Sequence, residues 1–290
     1  MMTQYQPGTS SYVIPPANMA LPPMVSAGRG HVTADFARLL RGFDPIGLAE
    51  LDRVALLDRT DTKYVLTADQ LHVALAALGR DYWVLDIDRV RVHPYQTLYF
   101  DTADFALYMR HHAGRPIRYK VRSREYVDTH RSFMEVKVKT VNNRTSKKRI
   151  ETRSLLTHIT PEASRFVGAY LPFDTQCLEP KLWNTFGRVT LVSKQFAERL
   201  TLDLDLRFGR DGQAVVLPGV AIAEVKQAGI NRHSDFIQQM RALRVHPTGF
   251  SKYCIGVAYL YEGVKHNNFK AKLGLLDKLI RENHDVDRTH

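Results

Sequence analysis

The chain has 290 residues, of which 44% are hydrophobic, a composition typical of a globular protein with one large domain or two small ones. It carries 41 lysines and arginines against 30 aspartates and glutamates, for a formal net charge of +11. The two cysteines, Cys177 and Cys254, fit no metal or redox spacing, and no apolar run approaches the ~20 residues that span a bilayer. We therefore expect a cytoplasmic protein without a membrane span.

The first third of the chain predicts a tail followed by helices and one strand. Residues 1–30 are rich in proline, with serine, glycine and glutamine between, and predict a disordered tail. Residues 33–57 predict two short helices. A strand is expected at 59–66 and a helix at 68–78, which Thr67 would cap.

Polar and apolar side chains mostly alternate between residues 82 and 141, which predicts strands interrupted by a short helix at 104–111. The strands are expected at 83–87, 95–101, 115–126 and 132–140. A polar loop is expected at 142–149 and a helix at 154–171, broken at Pro161. Further strands are expected at 181–186, 188–196, 200–208 and 221–227.

The C-terminal part predicts helices at 234–243 and 267–282, whereas 252–261 fits either type of structure. We expect one domain over 31–265, followed by an amphipathic helix and tail over 266–290. The fold class expected from this pattern is α+β, either as an open sheet or as an antiparallel barrel with a polar lumen.

The strongest signal for function is a pair of basic strands, IRYKVRSREY at 117–126 and MEVKVK at 134–139. Because side chains alternate along a strand, each strand should present its charged residues on one face. Residues 110–149 hold 13 lysines and arginines against three acidic residues, nearly the whole charge excess of the chain. Such a surface favours an anion of high charge density, and phosphate is the first candidate. The charged residues of that face are Arg118, Lys120, Arg122, Arg124, Glu135, Lys137 and Lys139.

Three more segments alternate in the same way, at 59–63, 199–207 and 222–226. A sheet that buries its apolar face and exposes its charged face explains any one of them, including 199–207. Five such strands together favour a sheet closed with the polar faces inward, which would form a cationic tunnel with a few carboxylates. The polar residues of the three segments are Arg59, Asp61, Lys63, Arg199, Thr201, Asp203, Asp205, Arg207, Glu224 and Lys226.

Glu135 and Glu224 occur in similar contexts, MEVKVK and AEVKQ. A glutamate two residues before a lysine on one face could hold Mg²⁺ or Mn²⁺ while the lysine contacts phosphate. The alternative is a simple ion pair on the same face. The repetition of the motif favours the metal interpretation.

Other kinds of site find less support in the sequence. The 12 histidines show no zinc-ligand spacing, and neither a GxxxxGK[ST] loop nor a dinucleotide fingerprint is present. Tyr119, Tyr126 and Phe133 could stack nucleic-acid bases, but we assign them to the faces opposite the cations, whereas a single-strand platform needs both together. Nucleic acid is therefore not an expected partner.

Six motifs together resemble the VTC domain, the polyphosphate polymerase branch of the triphosphate tunnel metalloenzymes. The resemblance extends in order from about residue 59 to 261. The motifs are RTDTKY (59–64), LYFDTADFALY (98–108), RYKVRSREY (118–126), FMEVKVK (133–139), AEVK (223–226) and FSKYCIGVAYL (250–260).

The resemblance implies an antiparallel eight-stranded β-barrel with peripheral helices. Its basic lumen would bind ATP and polyphosphate and, with Mn²⁺ or Mg²⁺, transfer the γ-phosphoryl group of ATP to the polyphosphate chain. The implied catalytic residues are Lys63, Arg122, Arg124, Lys137, Arg188, Arg199 and Lys252, and Glu224 is the implied metal ligand, to which we add Glu135. Lys147 or Lys148 matches a further phosphate-binding lysine. With the cations of the alternating strands, the phosphate-binding set becomes Arg59, Arg118, Lys120, Lys139, Lys147, Lys148 and Lys226.

The chain also departs from the family. Gly249 replaces a lysine of the eukaryotic members, and neither an inositol-phosphate-sensing domain nor a membrane anchor is found, which leaves room for an unidentified protein partner. The ExExK signature of the hydrolytic members is absent, which favours a polymerase. Two alternatives stay open: a metal-dependent triphosphatase that acts on inorganic triphosphate or a nucleotide, and a non-catalytic module that binds polyphosphate or nucleic acid.

Overall fold

The computed structural model describes residues 13–14, 31–53, 60–142, 144–229 and 231–287. Its strands are β1 (Val13–Ile14), β2 (Asp44–Ile46), β3 (Thr60–Thr67), β4 (Tyr82–Leu85), β5 (His93–Asp101), β6 (Arg118–Tyr126), β7 (Arg131–Lys139), β8 (Thr145–Thr152), β9 (Glu179–Ser193), β10 (Glu198–Arg210), β11 (Gln213–Val216) and β12 (Val220–Gln227). Its α-helices are α1 (His31–Arg41), α2 (Leu48–Arg53), α3 (Ala68–Leu78), α4 (Ala106–His112), α5 (Pro161–Gly168), α6 (Asp235–Ala242), α7 (Lys252–Leu260) and α8 (Lys270–Asp287). Short 3₁₀ helices cover Val127–Thr129, Thr175–Cys177 and Asn267–Phe269.

Eight antiparallel strands form the wall of the molecule in the order β3–β12–β10–β9–β5–β6–β7–β8. The α+β class and the eight-stranded antiparallel arrangement are therefore confirmed. Within the described residues no ladder joins β3 to β8, so the hydrogen-bonded wall is open at that seam. The remaining strands extend its rim: β11 and β1 follow β10, and β4 and β2 follow β9.

The sheet curls so that its two ends face each other. Lys137 lies on β7 and Glu224 on β12, near opposite ends of the strand order, yet each affects the pKa of the other. Only a strongly curved sheet brings such side chains within electrostatic reach. The face that carries these two residues is called the tunnel face below.

Apolar clusters cover the outside of the wall. Leu200 and Leu202 of β10 pack with residues of α1, α3 and α6. Val121 and Val136, which alternate with the cations of β6 and β7, pack with α5 and the segment before it. This burial holds the alternating strands with their charged faces inward.

Helix α7 lies on the tunnel face and fills part of the interior. Its Tyr253 stacks on Tyr99 of β5 at 5.1 Å between ring centroids and belongs to a buried cluster with Ile222 of β12. Gly256 allows this close packing, because a Cβ there would lie 2.5 Å from a methyl carbon of Leu182. The helix thereby becomes an apolar plug beside the charged part of the tunnel.

Two predicted helices start where the sequence indicates. Thr67 caps α3, because its side-chain oxygen accepts a hydrogen bond from the amide of Gln70. The side-chain oxygen of Gln70 in turn accepts a hydrogen bond from the amide of Thr67. Ser234 caps α6 by accepting a bond from the amide of Ile237 at 3.2 Å. The predictions of a helix at 68–78 and of one within 234–243 are confirmed.

Several predicted elements were wrong. The segment 142–149 is not a polar loop, because 145–152 forms β8 and pairs with β7 in full register. Only Pro161–Gly168 of the predicted helix 154–171 is helical. A single strand, Glu179–Ser193, replaces the two expected at 181–196. The segment 252–261, for which no type of structure was predicted, is helical over Lys252–Leu260.

The polar face predicted for 199–207 ends at a β-bulge. The register of β10 against β9 shifts between Leu204 and Arg207, and Asp205 has a φ of 51° and is exposed. Arg199, Thr201 and Asp203 thus share the tunnel face, but Asp205 does not continue it. Beyond the bulge, apolar side chains of β10 turn toward α7.

The predicted tail and domain limits stay predictions. Val13–Ile14 form a short strand against β11, whereas the rest of residues 1–30 lies outside the described residues. Among the helices that the structure describes, none combines the length and the apolar character needed to cross a bilayer.

Candidate functional site

A row of three lysines crosses β6, β7 and β8. Lys120 lies opposite Lys137, which lies opposite Lys147. The neighbouring row contains Arg122, Glu135 and Arg149 in the same order. These strands, here called the β6–β8 wall, therefore present cations in adjacent rows about 6.8 Å apart.

Glu135 is the only acidic residue in these two rows, and its side chain is fully buried. Arg122 donates from Nε to Oε2 at 2.7 Å, and Lys147 forms an ion pair with the other oxygen. Burial alone would raise the pKa of Glu135, but Arg122, Arg124 and Lys147 more than offset it and hold that pKa well below its usual range. Burial lowers the pKa of Lys147 to about 8, although Glu135 opposes the shift.

Lys120 and Lys137 are half-buried, and neither makes an ion pair or a hydrogen bond through its side chain within the described part of the chain. Burial is the main cause that lowers the pKa of both amines. Neighbouring cations contribute, since Arg122 and Lys63 lower the pKa of Lys137 further. Uncompensated ammonium groups held this closely favour an anionic ligand between them.

The facing strands β3, β12, β10 and β9, here called the β9–β3 wall, pair their cations with carboxylates. Glu224 accepts a hydrogen bond from Lys226 at 3.1 Å and lies 3.7 Å from Nζ of Lys63. Nζ of Lys63 also donates to the carbonyl of Phe250 at 3.1 Å. Burial would raise the pKa of Glu224, but Lys226, Lys63 and other cations lower it well below its usual range.

A second carboxylate, Asp203, holds two cations on the same wall. Arg188 binds it in a bidentate manner, at 2.6 Å and 2.8 Å, and Lys252 at the start of α7 forms an ion pair with it. Burial lowers the pKa of Lys252 to about 8, an effect that Asp203 opposes. The sequence placed Asp203 on a polar face but did not identify this role, which depends on how α7 docks.

Aromatic rings support the arginines of the interior. The guanidinium carbon of Arg124 lies 5.4 Å from the ring centroid of Tyr95 and 5.6 Å from that of Phe186. Arg188 lies over the same two rings at 5.0 Å and 5.3 Å, and Lys252 lies over Phe186 at 4.4 Å. Cation–π contacts stabilise like charges that would otherwise repel each other, so Tyr95 and Phe186 belong to the site. Sequence analysis missed both.

The family comparison agrees with this geometry. The family model of the VTC domain matches residues 58–261, which is more than half of the chain. This chain belongs to the VTC domain family. None of the curated proteins matches it.

Solved structures with a similar fold include two proteins proposed as adenylyl cyclases. One is from Hippeastrum and is described as having a dominant triphosphatase activity; it shares 15% identity over 72% of this chain and 100% of its own, with a TM-score of 0.46. The other is from Vibrio parahaemolyticus and shares 14% identity over 69% of this chain and 98% of its own, with a TM-score of 0.41.

Most site residues predicted for the VTC domain lie on the tunnel face. Arg118 and Lys139 form a cross-strand pair one row beyond Lys120, and Nε of Arg118 is buried with no partner within the described residues. Arg199 lies opposite Lys226 and donates to the carbonyl of Leu51 at 2.7 Å, so it connects the wall to α2. Within the described chain, the structure thus brings together Lys63, Arg118, Lys120, Arg122, Arg124, Glu135, Lys137, Lys139, Lys147, Arg188, Arg199, Glu224, Lys226 and Lys252.

Two predicted phosphate contacts fall outside this set. Lys148 lies opposite Val136, whose side chain faces the outer apolar cluster, so this exposed lysine points away from the tunnel and the register selects Lys147. Arg59 lies outside the described residues.

The prediction that the aromatic residues oppose the cations was wrong for two of three. Tyr126 follows Arg124 by two residues and lies 5.6 Å, between ring centroids, from Phe133, which precedes Glu135 by two residues. Both rings therefore share the tunnel face. Tyr119 lies on the outer face, as expected.

A divalent metal fits one of the two predicted glutamates better than the other. No group of three or more potential metal ligands occurs within the described residues, but Mg²⁺ commonly needs only one or two carboxylates, completed by water and substrate phosphates. The Glu224 side chain is 16% exposed and its amine neighbours are flexible lysines. Both glutamates have cations at both oxygens, but Glu135 is fully buried and is held by the guanidinium of Arg122 as well as by Lys147, so the greater exposure and the lysine neighbours favour Glu224.

Proposed function

We propose that this protein is a polyphosphate polymerase that transfers the γ-phosphoryl group of ATP to a polyphosphate chain inside the tunnel, with Mn²⁺ or Mg²⁺ as cofactor. The observation that carries the proposal is the excess of cations on the tunnel face, above all Lys120 and Lys137, which have no ion pair or hydrogen bond among the described residues. An extended row of such cations suits a linear polyanion better than a small isolated anion. Membership of the VTC domain family supports this interpretation.

The arginines of the interior suit the stabilisation of charge during transfer. Arg122 is fixed by Glu135, and Arg188 is fixed by Asp203 and by the rings beneath it. Phosphoryl transfer needs positioning and electrostatic stabilisation rather than a protein nucleophile. In the proposed reaction an oxygen of the polyphosphate end attacks the γ-phosphorus of ATP and ADP leaves.

The lysines would hold the phosphates on either side of the reacting centre. Lys63 lies 3.7 Å from Glu224 on its own wall. Lys137, on the opposite wall, makes no ion pair with Glu224 within the described residues but is near enough for that carboxylate to raise its pKa. When phosphate arrives, Lys63 and Lys226 can exchange their contact with Glu224 for one with phosphate. Glu224 would then be free to hold the metal, which supplies charge neutralisation on the ATP phosphates.

The decisive experiment follows ADP, free phosphate and chain length after ATP and Mn²⁺ are added to the purified protein. ADP formation matched by growth of long polyphosphate on a gel would support the polymerase. ADP with an equivalent amount of free phosphate would make the protein a triphosphatase. Binding of polyphosphate without formation of ADP or of longer chains would mean that the protein is a non-catalytic binding module.

Two adjacent lysines provide a matched test of the tunnel in the same assay. Lys147→Ala removes a tunnel-face cation and should lower turnover about 10- to 100-fold, because a charge-assisted contact contributes about 1.5–3 kcal/mol. Lys148→Ala removes an outward cation of the same strand and should leave turnover unchanged. Lys63→Ala should abolish turnover. Full activity in Lys63→Ala would contradict the assigned site.

A further inference from the structure

We propose that Tyr126, Phe133 and Arg149 form a shelf at one end of the tunnel that stacks the purine base of the nucleoside triphosphate. The inference rests on the proposed function, because it assumes that a nucleotide enters the tunnel. Its starting point is the pair of aromatic residues that share a face with the cations. An inorganic polyphosphate has no planar group, so these rings would serve the nucleotide and not the product chain.

Phe133 is enclosed by planar groups. The guanidinium carbon of Arg149 lies 4.5 Å from its ring centroid, and that of Arg131 lies 5.2 Å from it. The ring of Tyr126 meets it edge to face, with an interplanar angle of 89°. Phe133 itself is only 4% exposed, so the accessible planar surface of the shelf is the outer side of Arg149.

Arg149 and Arg131 differ in their side-chain contacts other than the one with Phe133. Arg131 makes a bidentate contact with Glu151 at 2.9 Å and 3.0 Å. Arg149 is exposed and, within the described residues, has neither an ion pair nor a hydrogen bond through its side chain. Its guanidinium rests on Phe133, and because the residue is exposed, the side away from the ring is available to a ligand. Nucleobases stack on arginine planes and on aromatic rings alike.

The shelf adjoins the arginines assigned to the phosphates. Arg149 lies directly opposite Glu135, which holds Arg122, and Phe133 lies directly opposite Arg124. Neighbouring rows on a strand are about 6.8 Å apart. A nucleotide whose phosphates contact Arg122 and Arg124 therefore has its ribose and base within reach of the shelf. Because purines offer a larger stacking area than pyrimidines, ATP should bind more tightly than CTP.

The test compares ligands with and without a base in metal-free buffer, where no turnover occurs. ATP, CTP and inorganic tripolyphosphate are titrated calorimetrically into the full-length protein and into Arg149→Lys, which keeps the charge but loses the plane. We expect the Kd of ATP to rise about five- to tenfold and the Kd of tripolyphosphate to change less than about twofold. Arg165→Lys, the same substitution at an exposed position of α5, should change neither.

A second variant, Phe133→Leu, removes the ring that orients Arg149 and should give the same selective loss, with circular dichroism confirming the fold. Equal weakening of ATP and tripolyphosphate by Arg149→Lys, or no change in either, would overturn the shelf while leaving the tunnel intact. A parent protein that binds tripolyphosphate but shows no preference for ATP over CTP would overturn it as well. A parent protein that binds none of the three ligands would overturn the proposed function itself.

Discussion

The two walls of the tunnel carry similar cations but balance them differently. On the β6–β8 wall, one carboxylate, Glu135, is fully buried between Arg122 and Lys147, and the neighbouring lysines have no acidic partner within the described residues. On the β9–β3 wall, Glu224 and Asp203 each hold two cations. Cations outnumber carboxylates on both walls, but the excess is larger on the first wall, whereas four cations of the second wall are held by carboxylates.

This difference suggests a division of labour between binding and chemistry. A surface with unbalanced ammonium groups attracts a polyanion and is unstable without one. A surface whose lysines already contact a carboxylate gains less from an anion alone, but that carboxylate can accept a metal once the lysines move to phosphate. The β6–β8 wall would thus supply most of the affinity, and Glu224 of the other wall would supply the metal-dependent step.

Glu224→Gln gives the largest effect expected from a test that separates the two walls, because it removes the proposed metal ligand while keeping the size of the side chain. We expect ATP turnover to fall by at least about 10²-fold. The metal-free Kd of tripolyphosphate should stay the same or decrease, because Lys63 and Lys226 lose the charge that neutralises them. ADP release and calorimetric titration measure the two quantities.

The control for this variant is Glu162→Gln, at an exposed glutamate of α5, which should behave like the parent protein. Turnover preserved in Glu224→Gln would remove the distinction between the walls, because the metal would then depend on other residues. Parallel loss of turnover and of metal-free binding would show that Glu224 supports the structure of the site rather than the metal.

Lys137→Met tests the β6–β8 wall and should affect binding more than chemistry. Removal of one phosphate-binding cation should raise the Kd of tripolyphosphate about tenfold or more. The ligand-free protein should become more stable by on the order of 1 kcal/mol, because an apolar chain replaces a half-buried charge that has no ion-pair partner among the described residues. Thermal unfolding with and without tripolyphosphate measures both effects.

Lys148→Met is the matched control on β8, because it changes an exposed lysine of the outer face. It should leave the midpoint of thermal unfolding and the Kd unchanged. A lower unfolding midpoint for ligand-free Lys137→Met would contradict the idea that Lys120 and Lys137, which lack ion pairs within the described residues, destabilise the empty tunnel.

The alternation of side chains made much of the site predictable. Local backbone geometry decides that Lys120, Arg122 and Lys137 lie on one face of their strands. Burial of the alternating apolar residues in the outer clusters then turns that face toward the tunnel. The same two-residue periodicity places Tyr126 on the face of Arg124 and Phe133 on the face of Glu135. The sequence therefore contained the signal for the shelf, and our prediction that these rings oppose the cations was wrong. The prediction that the charged faces point inward required several alternating strands, because any one of them could equally expose its charged face to solvent.

What could not be predicted depends on contacts between distant segments. Lys252 and Asp203 are 49 residues apart and meet only because α7 packs on the tunnel face. The bulge at Asp205 interrupts a strand whose sequence, LTLDLDL, alternates without a break. The polar composition of 145–152 gave no sign that pairing with β7 would make it a strand.

The smallest expected effect is a pH dependence of the affinity for tripolyphosphate, to which the protein contributes through Lys147. Burial lowers the pKa of Lys147 to about 8, and a bound polyanion should raise it again because negative charge favours the ammonium form. Binding then takes up a proton above pH 8, so affinity is highest below pH 8 and falls as pH rises. For one lysine the loss is about fivefold between pH 8 and pH 9.

Lys147→Arg isolates this contribution, because arginine stays charged over the whole range. Tripolyphosphate titrates in the same way with every variant, so any difference in slope between parent and variant belongs to the protein. We expect the variant to lose affinity less steeply above pH 8 and to take up less proton, as measured by calorimetry in buffers of different ionisation enthalpy. Lys148→Arg should retain the slope of the parent. Identical slopes for parent and Lys147→Arg would mean that Lys147 is already fully protonated in the empty tunnel, which would contradict the crowding of charge on the β6–β8 wall.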